Sequence, residues 1–157
     1  MHRVVSFEFS HEEETIEFGK RLASVLVSPL VLLFSGDLGA GKTTLIRAML
    51  RGLGITGAVK SPTFSLVESY ALPAGGLLHH FDLYRIHDEA ELEYIGFRDY
   101  FSNDAVCCIE WPERSAQVLS DADMCLAFQI EGTHRKLTVS GLSVVGVRIL
   151  SSLTEAD

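Results

Sequence analysis

The chain has 157 residues, of which 47% are hydrophobic, and it carries a formal net charge of −8. Length and apolar content together predict one folded domain over residues 1–157 and exclude an intrinsically disordered chain. The acidic balance argues against a surface that binds nucleic acid over its whole extent, but a small basic patch or a nucleic-acid-binding partner stays compatible with it.

Targeting signals and disulfides are not indicated by the sequence. No apolar run approaches the length of a membrane span, and residues 1–8 lack the apolar core of a signal peptide. The three cysteines, Cys107, Cys108 and Cys125, lie in apolar runs and form no disulfide framework. We therefore expect buried, reduced thiols and a cytoplasmic protein with no membrane partner.

A strand and a helix are predicted first along the chain. Residues 3–9 alternate between apolar and polar side chains, which predicts a strand. Ser10 stands three residues before Glu13, a capping-box signature for the start of a helix. The following residues carry an apolar stripe at helical spacing, and the helix should end at Ser28-Pro29.

Residues 36–43 read Gly-Asp-Leu-Gly-Ala-Gly-Lys-Thr and fit the phosphate-binding P-loop pattern, G-x-x-x-x-G-K-[ST]. The apolar run 31–35 before them predicts a buried strand, and residues 44–51 after them predict a helix. Glycines let such a loop bend so that its amides, here from about Leu38 to Thr43, surround phosphate oxygens at the start of a helix. Lys42 can then reach the β- and γ-phosphates, and the Thr43 hydroxyl can bind Mg²⁺.

The loop Lys-Ser-Pro-Thr-Phe at 60–64 supplies hydroxyl groups soon after the P-loop helix. Nucleotide switches often place a γ-phosphate or Mg²⁺ contact in such a loop, and Thr63 is the first candidate, followed by Ser61. An ordinary Ser-Pro turn is the alternative interpretation.

Two apolar strands that end in an acid supply the remaining chemistry. Residues 64–70 and 77–82 predict an antiparallel hairpin whose second strand ends at Asp82, and residues 105–110 predict a strand that ends at Glu110. Ligands bind at the carboxyl ends of strands in α/β sheets, so either acid could hold the metal, and spacing alone does not rank them. The following Trp111 could line the site or belong to the core.

The remaining segments complete the predicted fold. His79 and His80 lack metal-ligand spacing, so we expect them to serve in core or edge packing. Residues 88–95 predict a short helix, residues 124–131 and 135–140 a hairpin, and residues 141–153 either a strand or a helix. The predicted fold is α/β, a three-layer P-loop NTPase-like sandwich with a mixed central sheet and antiparallel edge hairpins.

Four motifs in this order resemble the TsaE (YjeE) family of bacterial ATPases, from about residue 10 to residue 135. They are Gly-Asp-Leu-Gly-Ala-Gly-Lys-Thr-Thr at 36–44, Lys-Ser-Pro-Thr-Phe at 60–64, His-Phe-Asp-Leu-Tyr-Arg at 80–85 and Ile-Glu-Trp-Pro at 109–112. The resemblance implies a role in making the threonylcarbamoyl modification of the adenosine beside the tRNA anticodon. Such proteins bind and hydrolyse ATP while they engage the TsaB–TsaD pair, so tRNA would be met only through that complex.

The resemblance also implies roles for individual residues. Thr43 and Glu110 would hold Mg²⁺, and Asp82 would be the acid needed for hydrolysis. Thr63 would act as the switch hydroxyl, and Trp111 would lie beside the site. The residues that would hold the phosphates are Gly39, Ala40, Gly41, Lys42, Thr43 and Thr44.

Three further positions complete the comparison, and two of them lie within the quoted motifs. Arg135 matches a family arginine near the nucleotide, and Phe64 replaces the tyrosine that usually follows Ser-Pro-Thr. Arg85 could reach the γ-phosphate or the partner, or it could form a surface ion pair.

Other functions on the same loop predict other features. A small-molecule kinase would need an acceptor pocket and usually an arginine-rich lid, and no arginine-rich insert is present. A GTPase would be expected to carry Asn-Lys-x-Asp, but Asn103, the chain's asparagine, is followed by Asp104 and Ala105. A module that binds nucleotide without turnover is the remaining alternative.

Overall fold

The computed structural model describes residues 2–155, which form a mixed β-sheet between helices. The strands are β1 Arg3–Phe9, β2 Leu30–Ser35, β3 Val67–Ala71, β4 Leu77–Asp82, β5 Ala105–Glu110, β6 Met124–Glu131 and β7 His134–Gly141. The helices are α1 Glu12–Val25, α2 Lys42–Gly52, α3 Ala90–Tyr94, α4 Ala116–Asp121 and α5 Val144–Glu155, with 3₁₀ turns at Phe97–Tyr100 and Pro112–Arg114.

The strand order in the sheet is β1-β7-β6-β2-β5-β4-β3. The central strands β6, β2, β5 and β4 are parallel to one another. The pairs nearer the edges, β1–β7, β7–β6 and β3–β4, are antiparallel. The predicted mixed sheet with edge hairpins is therefore confirmed. Because β2, β4 and β5 are parallel, the residues that follow them meet at one edge of the sheet.

Helices cover both faces of the sheet, which gives the predicted three layers. On β5, Val106 and Cys108 join a core with α1, α2 and α5, whereas Cys107 and Ile109 join a second core with α3 and α4. This alternation follows from the two-residue period of a strand. It explains why β5 is apolar throughout until its last residue, Glu110, which lies on the α2 side with Val106 and Cys108.

The cysteines lie close to their predicted environments. All three are free, Cys107 and Cys108 are buried, and Cys125 is half-buried. Burial raises the pKa of the Cys107 thiol to about 12, which keeps it protonated and unreactive. Within residues 2–155, no helix has both the length and the apolar character to cross a membrane.

Two local predictions differ from the structure, and one open alternative is resolved by it. The carboxylate at the start of α1 is that of Glu14, not Glu13: it accepts the N–H groups of Ser10 at 2.9 Å and His11 at 3.1 Å. Phe64 lies in a turn before β3 rather than in the strand. The ambiguous C-terminal segment is helix α5, because one face of its apolar run packs on β7.

Candidate functional site

The P-loop connects β2 to α2 and packs directly on β6. Gly36 and Gly41 have φ angles of 133° and 122°, which L side chains rarely adopt. A Cβ at Gly36 would lie 2.7 Å from the Phe128 carbonyl oxygen, and one at Gly41 would lie 3.2 Å from the Phe128 ring. The two glycines therefore permit both the bend of the loop and its close approach to the sheet.

The N-terminus of α2 faces the space enclosed by the loop. The first helical bond runs from the Leu45 N–H to the Gly41 carbonyl at 3.0 Å, so the N–H groups of residues 42–44 have no intrahelical acceptor. Such groups form an anion site. The Ala40 N–H instead donates to the Asp37 carbonyl at 3.1 Å, so the run of amides directed at an anion is shorter than predicted.

Lys42 lies inside the loop rather than in solvent, with 4% of its surface exposed. Its Nζ donates to the Gly36 carbonyl and lies 4.1 Å from the centroid of the Trp111 ring. Burial lowers the pKa of the ammonium, while the carboxylates of Glu110 and Asp82 act in the opposite direction. The charge is therefore held in place by a carbonyl, a ring and two acids.

Asp82 and Glu110 lie side by side, because they are paired in the register of β4 and β5. Asp82 Oδ1 accepts the Tyr84 N–H at 3.0 Å, and Oδ2 accepts the Thr63 hydroxyl at 3.4 Å. Burial raises the pKa of the Asp82 carboxyl, and the neighbouring Glu110 adds to this effect, whereas the Tyr84 N–H opposes it.

Glu110 has a different partner from that of Asp82. Its Oε2 lies 2.7 Å from Nε2 of His80, and both side chains are buried. Sequence reasoning assigns His80 to core or edge packing and does not place it at the site. The available signal was its two-residue spacing from Asp82, which places both side chains on the same face of β4.

These residues surround one cavity of about 180 Å³, here called the phosphate-side cavity. Its lining brings together most of the predicted site: Leu38, Gly39, Gly41, Lys42, Thr43, Thr44, Thr63, Asp82, Glu110 and Trp111. The side chains of residues 2–155 include no group of three or more histidines, cysteines and acids placed to hold a metal. A cation in this cavity would therefore need oxygen atoms of a ligand in addition to a carboxylate and the Thr43 hydroxyl.

A second cavity of about 170 Å³, here called the α1-side cavity, lies on the other side of the P-loop. It shares Gly39, Gly41 and Thr44 with the first. Its other lining residues come from the β1–α1 junction, the P-loop and the β6–β7 hairpin: Phe9, Ser10, His11, Glu12, Thr15, Ala40, Thr133 and Arg135. Apart from Ala40 and Arg135, the sequence did not single out these residues for the site.

The other two candidates lie outside both linings. The Ser61 hydroxyl is 2.8 Å from the Thr63 hydroxyl, so it contacts a residue of the phosphate-side lining without lining that cavity itself. The Arg85 guanidinium lies 4.5 Å from the centroid of the exposed Phe64 ring, so its contact among the described residues is a cation–π contact and not a surface ion pair.

The chain is similar to known proteins of one family over most of its length. The family described as "Threonylcarbamoyl adenosine biosynthesis protein TsaE" matches residues 9–138. The tRNA threonylcarbamoyladenosine biosynthesis protein TsaE of Haemophilus influenzae is 41% identical over 148 residues, which are 91% of this chain and 93% of that protein. The protein of the same name from Streptomyces coelicolor is 40% identical over 133 residues, 80% of this chain and 89% of its own.

A solved structure extends the similarity to the fold. The crystal structure of YdiB from Bacillus subtilis superposes with a TM-score of 0.80 at 26% identity, over 99% of this chain and 97% of that one. The likeness therefore includes α5 and all of β1, of which the family comparison matches only Phe9.

Proposed function

The chain belongs to the TsaE family of threonylcarbamoyl adenosine biosynthesis proteins, and from this premise we propose that it binds Mg·ATP and hydrolyses it to ADP and phosphate. One observation carries the proposal: Asp82 and Glu110 are neighbours in the sheet and line the same cavity as Lys42. A lysine, two acids and a helix N-terminus around one cavity are the parts that P-loop hydrolases use.

The donor atoms fit Mg²⁺. They are oxygens of a hydroxyl and of carboxylates, and Mg²⁺ is typically held by one or two carboxylates together with substrate phosphates. In this proposal Thr43 and Glu110 hold the ion. When bound, the ion would neutralise charge on the β- and γ-phosphate oxygens.

The chain's own residues carry the remaining steps. The phosphate tail attracts Lys42 away from the Gly36 carbonyl, and the N–H groups of residues 42–44 receive its oxygens. Asp82 accepts a hydrogen bond from a water molecule and aligns its oxygen with the γ-phosphorus. The new P–O bond forms as the bond to the β-phosphate oxygen breaks, and the proton of the water passes to Asp82 or to solvent. Thr63 holds the Asp82 carboxylate in this orientation.

The α1-side cavity supplies the place for the base and ribose. It opens from the same three loop residues as the phosphate-side cavity, so one nucleotide can extend across the loop. Arg135 and Phe9, which are paired between β1 and β7, offer a guanidinium plane and an aromatic edge next to a bound base.

The proposed partners are TsaD and TsaB, in the cytoplasm. A chain with a net charge of −8 is poorly suited to hold tRNA by itself. We therefore propose that the chain docks on the modification complex and that this complex binds the tRNA. Hydrolysis by P-loop proteins is often slow until a partner completes the site. The same is expected here.

Release of labelled phosphate from γ-labelled ATP tests the proposal. The wild-type chain with Mg²⁺ should release inorganic phosphate, and Lys42→Ala should abolish the release, because it removes the cation next to the γ-phosphate. Lys20→Ala is the matched control, since Lys20 is exposed on α1. Addition of TsaB and TsaD should increase the rate.

Three results would each contradict a part of the proposal. Equal release by wild type and Lys42→Ala would remove the P-loop from the reaction. Transfer of the label to a small acceptor instead of water would favour the kinase alternative. Absence of both stimulation and binding by TsaB and TsaD would remove the proposed partners and leave a Mg-nucleotide hydrolase.

A further inference from the structure

We infer that His80 is a positioning residue, which fixes the Glu110 carboxylate for the cation that accompanies the nucleotide. This inference rests on the proposed function and adds to it a residue outside the cavity lining. His80 is 1% exposed and Glu110 is 4% exposed, and their side chains meet at 2.7 Å. A buried acid held by a single imidazole has fewer orientations than an acid in solvent.

Strand geometry explains how the two residues meet. His80 and Asp82 are two apart on β4, so both project from the α2 side of the sheet. The register pairs His80 with Cys108 and Asp82 with Glu110. His80 therefore lies one row behind the acids and reaches Glu110 diagonally, behind the cavity.

The hydrogen-bond partners of His80 show which of its atoms contacts Glu110. The Nδ1 atom of His80 is buried and has no hydrogen-bond partner among the described residues. This arrangement fits a ring that carries a proton on Nε2, because Nε2–H can donate to Oε2 of Glu110. One carboxylate oxygen of Glu110 is then engaged, and Oε1 is left for a cation or for a water molecule bound to it.

The adjacent histidine shows the opposite arrangement. His79 is also buried, but it lies on the other face of β4, 2.7 Å from the Ser69 hydroxyl and edge-on to the Tyr100 ring. His79 is adjacent to His80 in the sequence, but its contacts are with Ser69 and Tyr100 and not with Glu110. It therefore provides a matched control for loss of a buried imidazole.

The test measures ADP affinity with Mg²⁺ and with EDTA, which needs no turnover. His80→Leu should reduce the gain in affinity that Mg²⁺ provides by about tenfold or more. Its affinity for ADP in EDTA should stay within about twofold of wild type, because Lys42 and the N–H groups of residues 42–44 are unchanged. His80→Gln should retain most of the gain, since its amide N–H can replace Nε2–H. His79→Leu should retain all of it.

The possible results separate this inference from the proposed function. Wild-type affinity that does not depend on Mg²⁺ would contradict the proposed function before any variant is compared. A wild-type-like Mg²⁺ gain in His80→Leu would overturn the inference. An equal loss in His80→Leu, His80→Gln and His79→Leu would also overturn it, in favour of a packing role.

Circular dichroism verifies that each variant is folded. If His80→Leu does not fold, His80→Asn replaces it, because its polar amide suits the site but is too short to reach Glu110. Loss of the Mg²⁺ gain in His80→Asn, with retention in His80→Gln, supports the inference, and equal behaviour of the two contradicts it.

Discussion

The phosphate-side and α1-side cavities have similar volumes, about 180 and 170 Å³, and share three P-loop residues, but they are built differently. The first takes its charged groups from the P-loop and the ends of parallel strands. The second takes its side chains from β1, α1 and the β6–β7 hairpin. Under the proposed function, chemistry and base recognition would therefore come from different parts of the chain, so substitutions should separate them.

Asp82→Asn should have the largest effect, because it should lower kcat while leaving nucleotide affinity almost unchanged. The variant keeps the shape of the phosphate-side cavity but removes the acceptor that aligns the water, so kcat for phosphate release should fall by about 10²–10⁴-fold. ADP affinity should change by less than about threefold. Steady-state phosphate release and calorimetric titration measure the two quantities.

Asp37→Asn is the control for Asp82→Asn, because Asp37 is an exposed acid of the P-loop outside both linings. Its kcat should match that of wild type. A full kcat in Asp82→Asn would show that the phosphate-side cavity has a different water-aligning group, and it would favour Glu110 in that role.

The sequence predicts the phosphate-side cavity well for a physical reason. The P-loop is a local motif, and strands that end in an acid must meet at one sheet edge if they are parallel. The sequence does not rank Asp82 against Glu110, because their separate partners follow from contacts between distant segments. The turn before β3 brings Thr63 to Asp82, and the register of β4 on β5 brings His80 to Glu110. A register is a contact between segments that are distant in the chain.

The α1-side cavity was less predictable because its walls join distant residues. Phe9 meets Arg135 through the β1–β7 pairing, and nothing local in either segment indicates that contact. A similar limit applies to Phe64: the alternating pattern predicts a strand, but Leu66 has a φ of 74° and its N–H donates to the Pro62 carbonyl at 2.8 Å. The resulting turn places Thr63 beside Asp82.

Gly41→Ala should affect both cavities at once, because Gly41 lines both. An alanine there would have to adopt a φ of 122°, and its Cβ would lie 3.2 Å from the Phe128 ring. Such strain costs about 1–3 kcal/mol. We expect ADP affinity to fall by about 10–100-fold, together with a lower melting temperature. Gly57→Ala is the control, because no atom lies within 4 Å of a Cβ at that position. Unchanged affinity in Gly41→Ala would contradict the assignment of the loop as the shared wall.

Arg135→Gln should weaken recognition without affecting chemistry. A guanidinium next to a base contributes about 0.5–2 kcal/mol, so ATP affinity should fall by about three- to tenfold while kcat stays unchanged. Affinity for inorganic triphosphate, which lacks a base, should not change. Lys136→Gln is the control, because the next residue on β7 lies outside the cavity lining. A lower kcat in Arg135→Gln would contradict the proposed division between the cavities.

The smallest expected effect is on stability, and it depends on pH. Burial raises the pKa of Asp82 above its ordinary value near 3.8, so the folded state holds the proton more tightly than the unfolded chain does. Below pH 3.8 both states are protonated and the site carries no penalty. As pH rises through the folded-state pKa, the folded protein must hold a buried carboxylate, and stability is lost. Asp82→Asn should therefore melt about 2 °C higher than wild type at pH 7.5, with the difference vanishing near pH 4.

Melting curves at the two pH values measure this difference, and Glu12→Gln is the control. Glu12 lines the α1-side cavity but is exposed, so its replacement relieves no burial and should leave the melting temperature within error at both values. A gain for Asp82→Asn that persists at pH 4 would assign the effect to packing instead of charge. A gain at pH 7.5 alone would show that the phosphate-side cavity keeps its acid at a cost in stability, as expected where a charge is retained for chemistry.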